Sequence, residues 1–336
     1  MRISTEKFKK PSEPLFLMPS LSTTVCGLKL KNPFIVASGI MGGSASTIRR
    51  LETLGAGAVV TKTITIKERE GYPGPTVVEI SNDILLNAMG LPNPGVKKFK
   101  KELEDLELTI PLIVSISEES PEEFVKLAKN LTPLASALEL NLSCPHPEPK
   151  GKKKILIAQD KEMTYQVVKK VKEEIQEIPI FVKLSPSVTD IKEIVHASLL
   201  AGADGITLIN TVPALDIDLN FERPVLGNLI GGQSGHSILC IAQRKVAEAK
   251  SELLQWEREK GRKVHLIGCG GISTGYDAVK FHLIGVDAVQ IGTVLKNDLD
   301  VIERMKKEME QFMSLKGYNS IQDFQGKAFK YLENVV

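Results

Sequence analysis

The chain has 336 residues, with 43 Lys and Arg against 41 Asp and Glu and a formal net charge of +2. The lysines are dispersed rather than gathered into an aromatic-studded stripe, so nucleic-acid binding has little support. The amino terminus is charged and lacks an apolar core of signal-peptide length, and no later stretch is apolar for long enough to span a bilayer, so a cytoplasmic protein with no membrane association is expected.

A polar arm opens the chain, and Val25 to Leu30 reads as a hairpin. Short apolar runs then recur: NPFIVAS from Asn32, AVVTKTIT from Ala58, PLIVSIS from Pro111, ALELNLS from Ala137, PIFVKLS from Pro179, GITLIN from Gly205, VHLIGCG from Val264 and AVQIGT from Ala288. Helical spacing fills several of the gaps, at Ser44 to Leu54, Pro121 to Leu131, Met163 to Ile175, Ile191 to Leu200 and Tyr276 to Leu283, with stop signals at Gly55, Gly202 and Gly285. Strands apolar on both faces that alternate with helices imply a parallel sheet covered by helices. Eight such units predict an α/β fold of the closed (β/α)8 TIM-barrel type, one domain over residues 1–336. The stretches after Asp216 and Asp300 are expected to be decorations. An open doubly wound sheet is the runner-up, but Gly39, Gly42 and Gly43 do not have the spacing of its phosphate-binding turn.

The four cysteines, Cys26, Cys144, Cys240 and Cys269, form no C-x-x-C pair, which argues against a disulfide framework, a structural metal or an iron–sulfur cluster held by this chain. Cys144 stands where the strand ALELNLS gives way to Pro145, a place for a nucleophile or base as well as for a small packed residue. The strand ends are polar: Ser38, then Lys62 and Thr63, Asn141, Lys183, Asn210 and Thr211. Lysine is almost never buried without an anion, so two strand lysines at one mouth point to an anionic ligand. Glycines at Gly268, Gly270 and Gly271 before a helix start, with Gly292 and Thr293 after the last strand, suit a phosphate cradle at the habitual place in this fold.

Taken in order, NPFIVASG, TKTIT with EREGYPGP, NAMGLPNPG, NLSCP, VKLSP, INT, GGQSG, IGCGGISTGYDA and VQIGT resemble the class 1 dihydroorotate dehydrogenases, over nearly the whole chain. The resemblance implies FMN-dependent oxidation of dihydroorotate to orotate in pyrimidine biosynthesis. FMN would rest on Ala37, Ser38, Lys62, Thr63, Asn141, Lys183 and Ile209, with its phosphate on Gly235, Gly270, Gly271, Gly292 and Thr293. Dihydroorotate would be held by Lys62, by Asn87, Ala88, Met89, Gly90 and Leu91, and by Asn141, Asn210 and Thr211, with Cys144 as the base.

The span INTVPALDIDLNFERPVLGN resembles the NAD-linked subclass, which implies a partner subunit carrying FAD and an iron–sulfur cluster, while SIQDFQGKAF is similar to the fumarate-using homodimers. A homodimer or a heterotetramer is therefore expected. Departures from the pattern are His146 for a common Asn, Ser115 for an Asn and Gln233 for a Leu. SCPH also resembles dihydropyrimidine dehydrogenases, so uracil or thymine stands as a second substrate class, and a non-catalytic barrel scaffold as a third reading. The lysines of PHPEPKGKKKILIAQ fit either a basic lid or plain solvated surface.

Overall fold

A computed structural model describes residues 19–143, 156–333 and 335–336. Eight parallel strands form a closed ring: β1 (Phe34–Val36), β2 (Ala58–Val60), β3 (Leu112–Ile116), β4 (Ala137–Asn141), β5 (Ile180–Leu184), β6 (Gly205–Leu208), β7 (His265–Cys269) and β8 (Ala288–Ile291). Each is followed by a helix: α1 (Ala45–Thr53), α2 (Gly95–Leu103), α3 (Pro121–Leu131), α4 (Lys161–Glu174), α5 (Ile191–Leu200), α6 (Leu239–Lys260), α7 (Gly275–Ile284) and α8 (Val301–Lys316). This is a (β/α)8 barrel, and its closure rules out the open sheet.

Local sequence sets these boundaries. Ser120 caps α3 with Pro121 in its first turn, and Thr274 and Asp277 form a reciprocal cap on α7. Gly285 ends α7 at φ 114, a left-handed conformation that any Cβ would strain.

Two differences from the sequence reading stand out. The stretch after Asp300 is no decoration but α8, which buries Val301, Ile302, Met305, Met309 and Met313 on one face. Strand β2 ends at Val60, so Lys62 and Thr63 lie just beyond it rather than within it. Of the stretch after Asp216, residues 217–234 are indeed an excursion, but α6 takes over from Leu239.

The barrel interior is layered. At the amino-terminal end Ile35, Ala58, Ile113, Phe181, Ile267 and Ala288 form a closed apolar plug, sealed by Val25 and Leu30 of the predicted hairpin. Two aspartates tie this end together: Asp204 accepts from Ile180 N–H at 2.9 Å and Asp287 from Leu266 N–H at 2.9 Å. Each also meets cations, Lys172 and Arg262 at Asp204, and Lys263 at Asp287. At the carboxyl end, excursions after β2 and β6 meet in a four-stranded sheet, where Asn87 pairs with Gly232 and Gln233 with Val212. That sheet carries the Asn87–Leu91 loop to the rim beside Thr211.

Candidate active site

The strand register decides which side chains reach the mouth. On β4, the two-residue period that points Ala137 into the plug points Glu139 into the next layer and Asn141 to the rim. Asn141 donates to Thr63 Oγ1 at 3.2 Å, Thr63 shares hydrogen bonds with Ser115 at 2.9 Å and Ser38 at 3.2 Å, and Ser117 donates to the Asn141 carbonyl at 2.8 Å. From β6, Asn210 donates to Ser143 Oγ at 2.9 Å and reaches Asn141 Oδ1 at 3.4 Å. Side chains from five strand ends thus form one polar chain running from Ser38 to Ser143. Ser115 belongs to it.

Beneath this rim lies a buried polar layer. Glu139, wholly shielded from solvent, accepts from Gln290 Nε2 at 2.5 Å and from Thr207 Oγ1 at 3.2 Å. Lys183 donates to Gln290 Oε1 at 2.8 Å, and its ammonium lies 3.7 Å from Glu139 Oε1. Burial works against the Lys183 charge, but the Glu139 carboxylate more than offsets it and holds the amine above its ordinary value. The two strand lysines therefore differ. Lys183 has its anion inside the barrel, whereas Lys62 has no ion-pair partner among the described residues, and burial pushes its pKa down. Only Lys62 retains the sequence argument for an anionic ligand.

The Asn87–Leu91 loop is braced from beneath. Tyr72 N–H bonds to the Met89 carbonyl at 3.0 Å and Ala88 N–H to the Thr76 carbonyl at 2.8 Å. Gly90 has φ 70, and a Cβ there would fall 2.7 Å from Tyr72 N. Leu91 adopts φ 56, a strained turn held by Asn93, which donates to the Leu91 carbonyl and accepts from Thr65 and Gly95 N–H. Thr211 packs against Gly232, where a Cβ would lie 2.1 Å from its hydroxyl. Hydrogen bonds among the described residues do not link Lys62 to this loop or to Asn210.

At the other side of the mouth, Gly270 at φ 122 and Gly271 at φ 76 follow β7, and a Cβ on Gly271 would fall 2.5 Å from Leu239 N at the start of α6. Ile209 approaches Gly270, and His236 Nδ1 lies 2.9 Å from the Gly271 carbonyl, bringing Gly235 and Gly271 together. Thr293 donates to Ser234 at 2.9 Å, while Gly292 faces Ala37 and Ile40 with room that a side chain would fill. Bare backbone and hydroxyls at a helix start suit an anionic phosphate. With Lys62, which has no anionic partner among the described residues, on another part of the rim, these residues fit a flavin phosphate and an anionic substrate. Among the described residues no cluster of His, Cys, Asp and Glu is arranged to hold a metal ion, and no helix is long and apolar enough to cross a membrane.

A family model for dihydroorotate dehydrogenase matches residues 20–313. The chain belongs to the dihydroorotate dehydrogenase family. Among similar proteins, the dihydroorotate dehydrogenase B (NAD(+)) catalytic subunit of Pyrococcus abyssi is 42% identical over 311 residues, 92% of this chain and 99% of that protein. The proteins of the same name from Methanothermobacter thermautotrophicus and Thermoplasma volcanium are 39% and 40% identical, over 92% and 93% of this chain and 98% and 100% of theirs. As a member of this family the chain is an oxidoreductase that oxidises dihydroorotate in pyrimidine biosynthesis, and it uses a flavin.

Cys144, His146 and the lysine-rich segment to Ile155 lie outside the described residues. Sequence reading missed Glu139, Gln290 and Thr207, and also Asn93 under the Asn87–Leu91 loop. Glu139 had a signal, since it shares a strand face with Asn141, and Gln290 had a weaker one as a polar residue within AVQIGT.

Proposed function

We propose that the chain carries FMN across the carboxyl ends of its strands and oxidises dihydroorotate to orotate there, with Cys144 as the proton acceptor. The observation that carries this reading is the pairing of two features at one mouth: Lys62, half-buried without an anion among the described residues, and the hydrogen-bonded chain Thr63–Asn141–Asn210–Ser143, which ends at the residue beside Cys144.

Each residue type has a task. Lys62 attracts the substrate carboxylate, and its partial burial strengthens that attraction. Asn87, Asn141 and Asn210 offer both donors and acceptors to the amide-like edge of the ring, with Thr211 beside them. The backbone of Ala88, Met89, Gly90 and Leu91 closes one side of the site. Ala37, Ser38, Thr63 and Ile209 line the cofactor's bed, Lys183 lies under it, and Gly235, Gly270, Gly271, Gly292 and Thr293 take its phosphate. The bound flavin supplies the acceptor for the hydride that leaves one ring carbon. The proton on the neighbouring carbon passes to the Cys144 sulfur, which acts as thiolate.

A partner subunit carrying FAD and an iron–sulfur cluster would take the electrons onward, in a heterotetramer in the cytoplasm. The excursion after β6 supports a covered face, because it leaves Leu219, Phe221, Leu229 and Ile230 largely exposed. The relatives' own names, as NAD(+)-type catalytic subunits, point the same way.

Substrate choice is the test. With a dye as acceptor, the FMN-loaded chain is expected to oxidise dihydroorotate and to leave dihydrouracil and dihydrothymine untouched, since these lack the carboxylate that Lys62 would pair. Turnover of dihydrouracil without turnover of dihydroorotate would favour the dihydropyrimidine reading.

A further inference from the structure

Glu139 is an expensive residue to keep. A carboxylate shut inside a barrel costs several kcal/mol unless its oxygens are satisfied. Its Oε2 is, by Gln290 and Thr207, yet its Oε1 has no hydrogen-bond partner among the described residues and faces the Lys183 ammonium at 3.7 Å. Gln290 bridges the two charges, donating to Glu139 and accepting from Lys183, so neither can turn away without breaking the other's contact. None of the steps above uses Glu139.

We propose that Glu139 is a positioning residue for the flavin site: clamped by Gln290 and Thr207, its carboxylate keeps the Lys183 side chain in place and charged beneath the cofactor. This rests on the reading that FMN occupies the mouth above Lys183. Among the described residues that face Lys183, Glu139 is the only carboxylate. Cys269 on β7 is a partly buried thiol whose ionisation burial opposes, raising its pKa, and Gln290 on β8 and Thr207 on β6 carry no charge. Without Glu139, burial alone would govern, and an unpaired buried lysine can lose its proton at about pH 6. A charged Lys183 favours the anionic reduced flavin, and a neutral one does not, so the cofactor's potential reports the charge directly.

The experiment is a spectroelectrochemical titration of the FMN-loaded chain from about pH 6 to pH 10, for the wild type, Glu139→Gln, Glu139→Asp and the double variant Glu139→Gln/Lys183→Met. The wild-type potential should follow only the flavin's own ionisation. Glu139→Gln should add a second break at the acid end of this range, above which the potential falls more steeply than in the wild type, and the double variant should lose that break. Glu139→Asp, which keeps a charge but shortens its reach, should move the break to the alkaline end. A Glu139→Gln profile that overlays the wild type would overturn the proposal. If Glu139→Gln does not fold, the comparison of Glu139→Asp with the wild type decides, and identical profiles overturn it. A wild-type chain that binds no FMN would instead refute the functional reading on which the proposal rests.

Discussion

Asn210, just beyond β6, donates its side-chain amide to Ser143 at 2.9 Å and so ties the residue preceding Cys144 to the rim of the barrel. The same amide reaches Asn141, which holds Thr63. Asn210→Ala removes both links without altering Ala37, Ser38, Thr63 or Ile209 of the proposed flavin bed. It should retain its FMN and lose about 10- to 100-fold in kcat/KM for dihydroorotate, equivalent to about 1.4–2.7 kcal/mol. Steady-state kinetics beside a flavin absorbance measurement checks this, and unimpaired turnover would show that the link does not serve the chemistry.

Lys62 combines its proposed function with a stability cost. Burial lowers its pKa, so the folded state binds that proton less well than the unfolded chain does. Folding stability from this group therefore rises as the pH climbs through the folded value towards the ordinary lysine value. Lys62→Met should raise the melting temperature of the flavin-free protein at pH 7 by about 1–3 °C, while raising KM for dihydroorotate by at least about tenfold. Calorimetry and kinetics on one preparation test both halves. A lower melting temperature would mean that Lys62 is paired within the protein.

Asp287 acts at the opposite end. Burial disfavours its charge, but the His265 ring at 3.4 Å, the Lys263 ammonium at 3.1 Å and Leu266 N–H outweigh that cost and hold its carboxyl well below the usual range. The stabilisation is complete above the unfolded value of about pH 4 and is lost as the pH falls through the lower folded value. Asp287→Asn should cost about 3 kcal/mol at pH 7 with kcat unchanged, and the difference from wild type should shrink only in acid. Denaturant unfolding at several pH values checks it. A pH-independent difference would mean that the charge is not what stabilises.

The eight strands were legible because each is a short run apolar on both faces, and residues such as Ile35, Ile113 and Ile267 have nowhere to go but inside. The mouth residues were legible because polar side chains at strand ends break that pattern. α8 was not, since its buried stripe is largely methionine set among lysine and glutamate. Nor was the role of Glu139, whose partners Lys183 and Gln290 come from strands far along the chain. The difference between the two lysines depends on that same closure of the ring, which no local spacing reveals.

Cys144→Ala should keep FMN and lose nearly all oxidation of dihydroorotate at neutral pH. Cys144→Ser should retain weak activity that recovers as the pH rises, because a hydroxyl gives up its proton less readily than a thiol. The pH dependence of kcat/KM distinguishes the two, and a serine variant with the wild-type profile would argue against proton abstraction by this side chain.

The most direct test of the central claim is an anaerobic visible spectrum of the purified protein before and after adding dihydroorotate. A yellow flavin band that bleaches on addition is the expected result, because cofactor, substrate and base then act at one mouth. A flavin-loaded protein whose band stays unchanged with dihydroorotate, in the presence as well as the absence of its electron-transfer partner, would contradict it.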